Sequence, residues 1–298
     1  MPRDITRRSA LLLGGAAALA ARATPAASPS PGAGELFRDR WAETLAYLKL
    51  RARADTGDAW YWFSGTIELL PHGEKGLTLV NVDCLNLRRV RQEGDRKFTL
   101  TMWEGAVMTD PATGRIAETL LNPLNGRTVQ PMHYREGPTE FIGDENGFGF
   151  PSRQFDFSWT LGGGHVWVDR GQQIDTVNPL RPEEWPLESA GPRLHGASSS
   201  TLHGLWKDVS DPKQPMPPAD MVFTSSTDWF PWMLMGQRPG SVLYRARGPR
   251  LRSLDDAPAR VRQLIETKHP ELFRPVPWTE KSLGVIGDHA RQRRPVSP

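Results

Sequence analysis

The sequence predicts a mainly β protein of the α+β type, an antiparallel, partly open β-barrel flanked by N- and C-terminal helices. Three observations predict it. About seven to ten short segments, rich in aromatic and β-branched residues, follow one another with Gly, Pro or Asp at their bounds. No helical crossover separates them, which favours an antiparallel sheet closed or folded on itself. Amphipathic helical spacing is confined to the two ends.

The chain opens with "TRRSALL", the weakly apolar run "ALLLGGAAALA" at 10–20 and the small-residue stretch "ARATPAA". This is the order of a cleaved export signal. The pair Arg7 and Arg8 resembles a twin-arginine signal, with Ala10 where that signal often has Phe. As a helix the apolar run spans about 16 Å, short of the ~30 Å hydrocarbon layer, so no stable membrane span is expected after cleavage. The expected organisation is therefore an export signal and linker at 1–33, one β-rich domain at 34–280 and a flexible basic tail at 281–298. Handling by the twin-arginine machinery and a periplasmic or secreted location follow. A two-domain alternative would split at the Pro-rich stretch 178–192.

After the linker, "ELFRDRWAETLAYLKLRAR" places Phe37, Trp41, Leu45 and Leu48 on one helical face. Strands are predicted in "AWYWFSGTIEL", "GLTLVNV", "KFTLTMWEGAVM", "FDFSWTL", "HVWVDRGQQIDTV", "DMVFTSST" and "SVLYRAR". In "FDFSWTL", Phe155, Phe157, Trp159 and Leu161 alternate with polar residues, so one face is buried. "DPATGRI" and "NPLNGRTV" repeat one turn chemistry, Pro fixing φ and Gly114 or Gly126 supplying positive φ. "GGG" at 162–164 reads as a hairpin turn. "SLDDAPARVRQLIETKHP" predicts the second helix, with a capping-box-like start at Ser253 and Asp256 and a stop at Pro270.

Residues 1–33 hold four Arg against Asp4, which accounts for the whole chain's net charge of +3 and leaves the remainder neutral. Nucleic acid is disfavoured as a partner, and the local trio Arg88, Arg89 and Arg91 reads as a solvated face. Cys84 is the only cysteine, so no intramolecular disulfide exists; its alternating context reads as a buried strand thiol.

No nucleophile elbow, zincin helix, P-loop or dinucleotide fingerprint occurs, which leaves the cofactor unknown. The densest polar cluster is "PMHYREGPTEF". His133, Tyr134 and Glu136 are its candidate catalytic residues; on a strand His133 and Arg135 point one way, Tyr134 and Glu136 the other. The alternative is a strand end with structural hydrogen bonds. His133, His195 and His203 could form a three-His site, but no diagnostic spacing fixes them, and no metal is assigned. Ser198, Ser199 and Ser200 read as a polar loop or a solvent-facing strand.

Eleven Trp is high for this length, and Trp needs a partner for its N–H. Inward Trp and Met would leave an apolar cavity with a few polar handles. "DWFPWMLMGQRPG" concentrates that material. Trp229, Trp232, Met233 and Met235 are its candidate ligand-binding wall, with Arg238 at the rim and His203 nearby; the alternative is a plug closing one barrel end. Asp228 and Arg238 could also pair with each other.

The blocks "NPLNGRTVQPMHYREGPT", "WPLESAG", "STDWFPWMLMGQRPGSVLYRARG" and "HPELF" resemble the bacterial and fungal domain-of-unknown-function family 1838, over about Trp41 to Trp278. The resemblance implies one continuous domain and no established reaction. The sequence thus points to an exported protein that binds and transforms an apolar small molecule in a Trp/Met-lined cavity, by isomerase, lyase or hydrolase chemistry. The alternative is a non-catalytic periplasmic carrier or sensor.

Overall fold

Period-two alternation along three long strands sets the architecture. The computed structural model describes residues 36–296, so the expected export signal lies outside the described residues. Strands β1 (Gly57–Pro71), β2 (Leu77–Gly94) and β3 (Lys97–Thr109) pair in sequence order. They are followed by β4 (Leu120–Leu121) and β5 (Thr128–Val129), a separate small ribbon. The remainder are β6 (Arg135–Asp144), β7 (Gly147–Phe150), β8 (Arg153–Gln154), β9 (Ser158–Gly162), β10 (His165–Val177), β11 (Arg193–Leu205), β12 (Asp220–Thr227) and β13 (Gly240–Leu251). Apart from the ribbon they form one eleven-stranded sheet, ordered β8-β7-β6-β3-β2-β1-β13-β12-β11-β10-β9. Every pairing is antiparallel, and the sheet curls into a half-barrel, as the strand pattern predicts. The Pro-rich stretch 178–192 is the loop between β10 and β11, which pair from His165–Leu205 to Val177–Arg193.

The central strands are buried on both faces. Tyr61, Phe63, Val82, Cys84 and Leu100 face the concave side, and Trp62, Leu85, Leu87, Trp103 and Val107 belong to a second core on the convex side. Helix α3 (Ala259–Lys268) covers that second core with Val261 and Ile265. The predicted capping box at Ser253 and Asp256 exists, but it opens a short 3-10 turn, Leu254–Asp256. Pro258 holds Ala257 extended, so the helix proper restarts at Ala259.

Helix α1 (Arg40–Arg51) packs Trp41, Tyr47 and Leu48 into the concave core, with the Asp39 side chain accepting from the Ala42 amide at 2.8 Å. Its C-terminal carbonyls lie inside the protein, where water cannot satisfy them. The sheet supplies the donors. Arg250 on β13 donates to the carbonyls of Lys49, Leu50 and Ala52, and Tyr61 on β1 to that of Leu50. Arg88 on β2 donates to the Arg51 carbonyl at 2.5 Å. Two guanidiniums at a helix C-terminus also complement its dipole.

A short helix α2 (Trp206–Ser210) follows β11. The stretch expected as a flexible basic tail instead contains α4 (Gly284–Gln292). Asp288 fixes its start, accepting from the Ser282 hydroxyl at 2.8 Å and the Leu283 amide at 3.1 Å, and His289 is buried against Trp185. The two echoed turns have one geometry. Gly114 and Gly126, at φ 68° and 69°, donate back to the carbonyls of Asp110 and Asn122. No helix among the described residues is long and apolar enough to cross a membrane.

Arg250→Met keeps the aliphatic stem and deletes the fork, leaving buried carbonyls at the end of α1 without donors. It should lower unfolding stability by about 3 kcal/mol or more in urea titration, and Arg250→Lys should recover less than half of that.

Candidate functional site

The concave face keeps one cavity of 660 Å³ that the core does not fill. Strand alternation decides what lines it. On β2, Asn86 and Arg88 continue the inward row of Val82 and Cys84; on β3, Glu104 interrupts an inward row of Leu100, Met102, Ala106 and Met108. Tyr134 and Glu136 enter from the start of β6. Glu104 and Glu136 are register partners across β3 and β6. Directly opposed residues in an antiparallel pair carry Cβ atoms about 4.5–5.5 Å apart, so two carboxyl groups share one patch of the wall.

A bulge preserves this arrangement. Beyond Glu104↔Glu136 the register shifts, and Met102 meets Thr139. Gly137 has φ 93°, and a Cβ there would lie 2.2 Å from the Met102 carbonyl oxygen. Only glycine fits, and the extra residue leaves Glu136, Thr139 and Phe141 all on the cavity wall.

The two carboxyl groups have unequal surroundings. Asn86 Nδ2 donates to Glu104 Oε2 at 2.8 Å, while Arg88 Nε donates to the same amide's Oδ1 at 2.7 Å. Burial raises the Glu104 pKa, but the Asn86 bond and the charges of Arg88 and Arg51 pull against it. Glu136 has no such relief. Burial, then repulsion from Glu104 and Asp288, pushes it up to about 7. Both carboxyl groups are raised, and Glu136, which lacks the relief from Asn86 and the arginines, is the more readily protonated member of the pair.

Apart from its arginines, the rest of the wall is aromatic, apolar or neutral. Tyr134 Oη donates to Tyr244 Oη at 3.2 Å, and Cys84 Sγ lies 3.3 Å from Tyr244 Oη. Burial pushes both phenols and the thiol well above their usual ranges, so none ionises at neutral pH. Arg51, at the end of α1, and Arg170 on β10 also face the cavity. Burial and the nearby Arg51 charge lower the Arg88 pKa to about 9. A depression of 690 Å³ lies on the convex face, but its Asp83 is already paired with Arg260 at 3.0 Å. The concave cavity is the site with unspent chemistry.

Of the residues proposed from sequence, Tyr134 and Glu136 line the cavity. His133 does not, because alternation turns it to the other face. Its Nδ1 accepts from the Met108 amide at 3.1 Å, and burial, reinforced by Lys268, lowers its pKa to about 4. It is neutral near pH 7, and its Nε2 is buried without a hydrogen-bond partner among the described residues. Trp229, Trp232, Met233 and Met235, expected as a ligand-binding wall or a plug, are core residues outside the concave cavity, which favours the plug, and Trp232 also lines a separate pocket of 230 Å³. Of "DWFPWMLMGQRPG" only Phe230 reaches the cavity, and no Trp lines it. Asn122 and Asn125 bind the Met233 carbonyl at 2.8 and 3.2 Å, which seats the plug on the echoed turn.

Arg238 lies away from the cavity, paired with Glu74 at 2.8 Å, while Asp228 accepts from the His195 amide at 2.7 Å; the two do not pair with each other. His203 stacks on Trp167, with its Nε2 2.8 Å from His165 Nδ1. His133, His195 and His203 do not converge, and no three metal-binding side chains come together among the described residues. Ser198 and Ser200 line the cavity from β11.

Sequence reading missed Glu104, Arg51, Arg88 and Arg170. Two of these left a signal. Glu104 is the lone charge in an apolar row of period two, and Arg88 continues the inward row through Cys84 and Asn86. Arg88 is 1% exposed, whereas Arg91, three residues on, is open to solvent.

A family model described as a protein of unknown function (DUF1838) matches residues 56–282. A search of curated proteins finds no match.

The Glu136 shift makes a stability prediction. Its folded pKa of about 7 lies above the ordinary 4.5, so the fold binds this proton more tightly than the unfolded chain. That contribution is complete below pH 4.5 and is lost as pH rises through 7. Relative to Glu136→Gln, the wild type should therefore lose roughly 2–3 kcal/mol between pH 4.5 and 8 in denaturant titrations. Parallel pH profiles for the two proteins would remove the assignment.

Proposed function

Since the chain belongs to the DUF1838 family, which has no described function, we propose from the site alone that it is a small-molecule enzyme working by proton transfer. The observation that carries this reading is the opposed pair Glu104 and Glu136 on the wall of a 660 Å³ cavity. Ionised Glu104 takes a proton from one atom of the bound molecule, and protonated Glu136 delivers one to another atom. Their adjacency lets the proton pass back afterwards, which restores both groups. Tyr134 and Tyr244 present phenols to an oxygen of the ligand, and Phe63, Phe141, Phe223 and Phe230 enclose its apolar body. Isomerisation or elimination uses these parts directly. The basic, apolar and small-residue order of residues 1–33 supports export by the twin-arginine machinery and a periplasmic or secreted location for this activity.

The test needs no prior substrate. Wild type, Glu136→Gln and Glu104→Gln are each incubated with small-molecule extract from the host's medium, and the mixtures are compared by untargeted mass spectrometry. A compound consumed by wild type and at least about a hundredfold more slowly by either variant is expected. A ligand that copurifies with wild type and both variants, without being consumed, would make the protein a carrier. Equal consumption by all three would leave the carboxyl pair without a role.

A further inference from the structure

We propose that the ligand of the concave cavity carries a carboxylate, which docks on the guanidiniums of Arg51 and Arg88. This rests on the cavity being a ligand site and adds the class of ligand it takes.

The bonds of the two arginines carry the argument. Arg51 directs Nη1 at Met221 Sδ, 3.6 Å away, and Nη2 at Met102 Sδ, 3.4 Å away. Thioether sulfur is a weak acceptor, so a nearly buried guanidinium keeps its donors almost unspent. Arg88 commits Nε to Asn86 and Nη1 to the Arg51 carbonyl, but Nη2 reaches only Met221 Sδ, at 3.7 Å. Neither arginine forms an ion pair among the described residues. Arg88 lies 4.0 Å over the Tyr61 ring, a weaker compensation than an anion, and Glu104 is connected to it only through Asn86.

Burying a cation without a hydrogen-bonded anion is unfavourable by several kcal/mol, and two neighbouring cations add repulsion. Even with Glu104 ionised, Arg51 and Arg88 leave a net positive charge on the cavity floor. Arg170 at the wall adds to it, lying 3.6 Å over the Phe155 ring and donating to Gln172 at 3.4 Å, again without a carboxylate partner. A planar oxyanion satisfies both deficits at once, because it accepts two parallel N–H bonds and neutralises the floor. The aromatic remainder of the wall accommodates an apolar body attached to it.

The same anchor orders the chemistry. Asn86 links Arg88 to Glu104, so a carboxylate held on the guanidiniums sets the neighbouring atoms of the ligand beside Glu104. Arg51 is a positioning residue for the anion, and the protons stay with the glutamates.

The experiment is calorimetric titration of the purified full chain with cinnamate, 3-phenylpropionate and 2-naphthoate, each against its primary amide. Arg51→Met retains the stem and, because the Arg51 side chain bonds only to methionine sulfurs, should fold with an unchanged circular dichroism spectrum. Wild type should bind at least one carboxylate about tenfold or more tightly than its amide, and Arg51→Met should bring the ratio to within about twofold. Equal binding of acids and amides, no binding of any acid, or a preference that survives Arg51→Met would overturn the proposal. So would a stronger preference for phenyl phosphate over every carboxylate. A neutral compound turned over by wild type and not by Glu136→Gln would sink this inference while leaving the proton-transfer reading intact.

Discussion

The C-terminal end of α1 is the point on which the rest of the structure depends. A helix that ends inside a curled sheet exposes carbonyls to an interior without water, and such groups must find donors. Tyr61, Arg88 and Arg250 provide them from three adjacent strands, β1, β2 and β13 respectively. One contact thus joins the first helix to the centre of the sheet. It also fixes how far α1 enters the half-barrel, leaving the remaining concave space as the cavity. Arg51, the last residue of the helix, is delivered to the cavity floor beside Arg88 by the same event.

Docking and site electrostatics are therefore one arrangement. Arg88 is at once the donor to α1, the partner of Asn86 and a charge that favours ionised Glu104. Glu136, one strand away from Glu104 and without such a partner, has its pKa pushed up to about 7. The sheet needs no loop to build this asymmetry, because cross-strand register places the two carboxyl groups together and a glycine bulge keeps the second one aimed inward. A site carried on paired strands holds its groups more firmly than one carried on loops.

Much of the fold was legible in the sequence. The alternation of Phe155, Phe157 and Trp159, the paired turns at Gly114 and Gly126, and the helical face of Trp41 and Leu48 are local signals with local causes. The site was only partly legible. Strand parity put Tyr134 and Glu136 on one face and His133 on the other, but parity does not say which face meets the cavity. Histidine is the residue type that titrates near neutrality, but burial lowers His133 to about 4 and raises Glu136 to about 7. Arg88 read as surface because it sits among other arginines, although β2 continues through it as a strand buried on both faces. The Trp-rich stretch at 228–240 read as either a wall or a plug, because its composition suits both. Anchorage by Asn122 and Asn125, more than a hundred residues earlier in the chain, makes it a plug, and no local pattern could reveal that.

The central claim is that the opposed carboxyl groups share one proton, with Glu136 holding it. Carbon-13 NMR titration of the glutamate side-chain carboxyls, assigned through Glu104→Gln and Glu136→Gln, measures this directly. Glu136 should titrate near pH 7, and its midpoint should fall when Glu104 is replaced by Gln, because the repulsion disappears while burial remains. Titration of both groups at the ordinary carboxylate value, unaffected by replacement of the partner, would contradict the account.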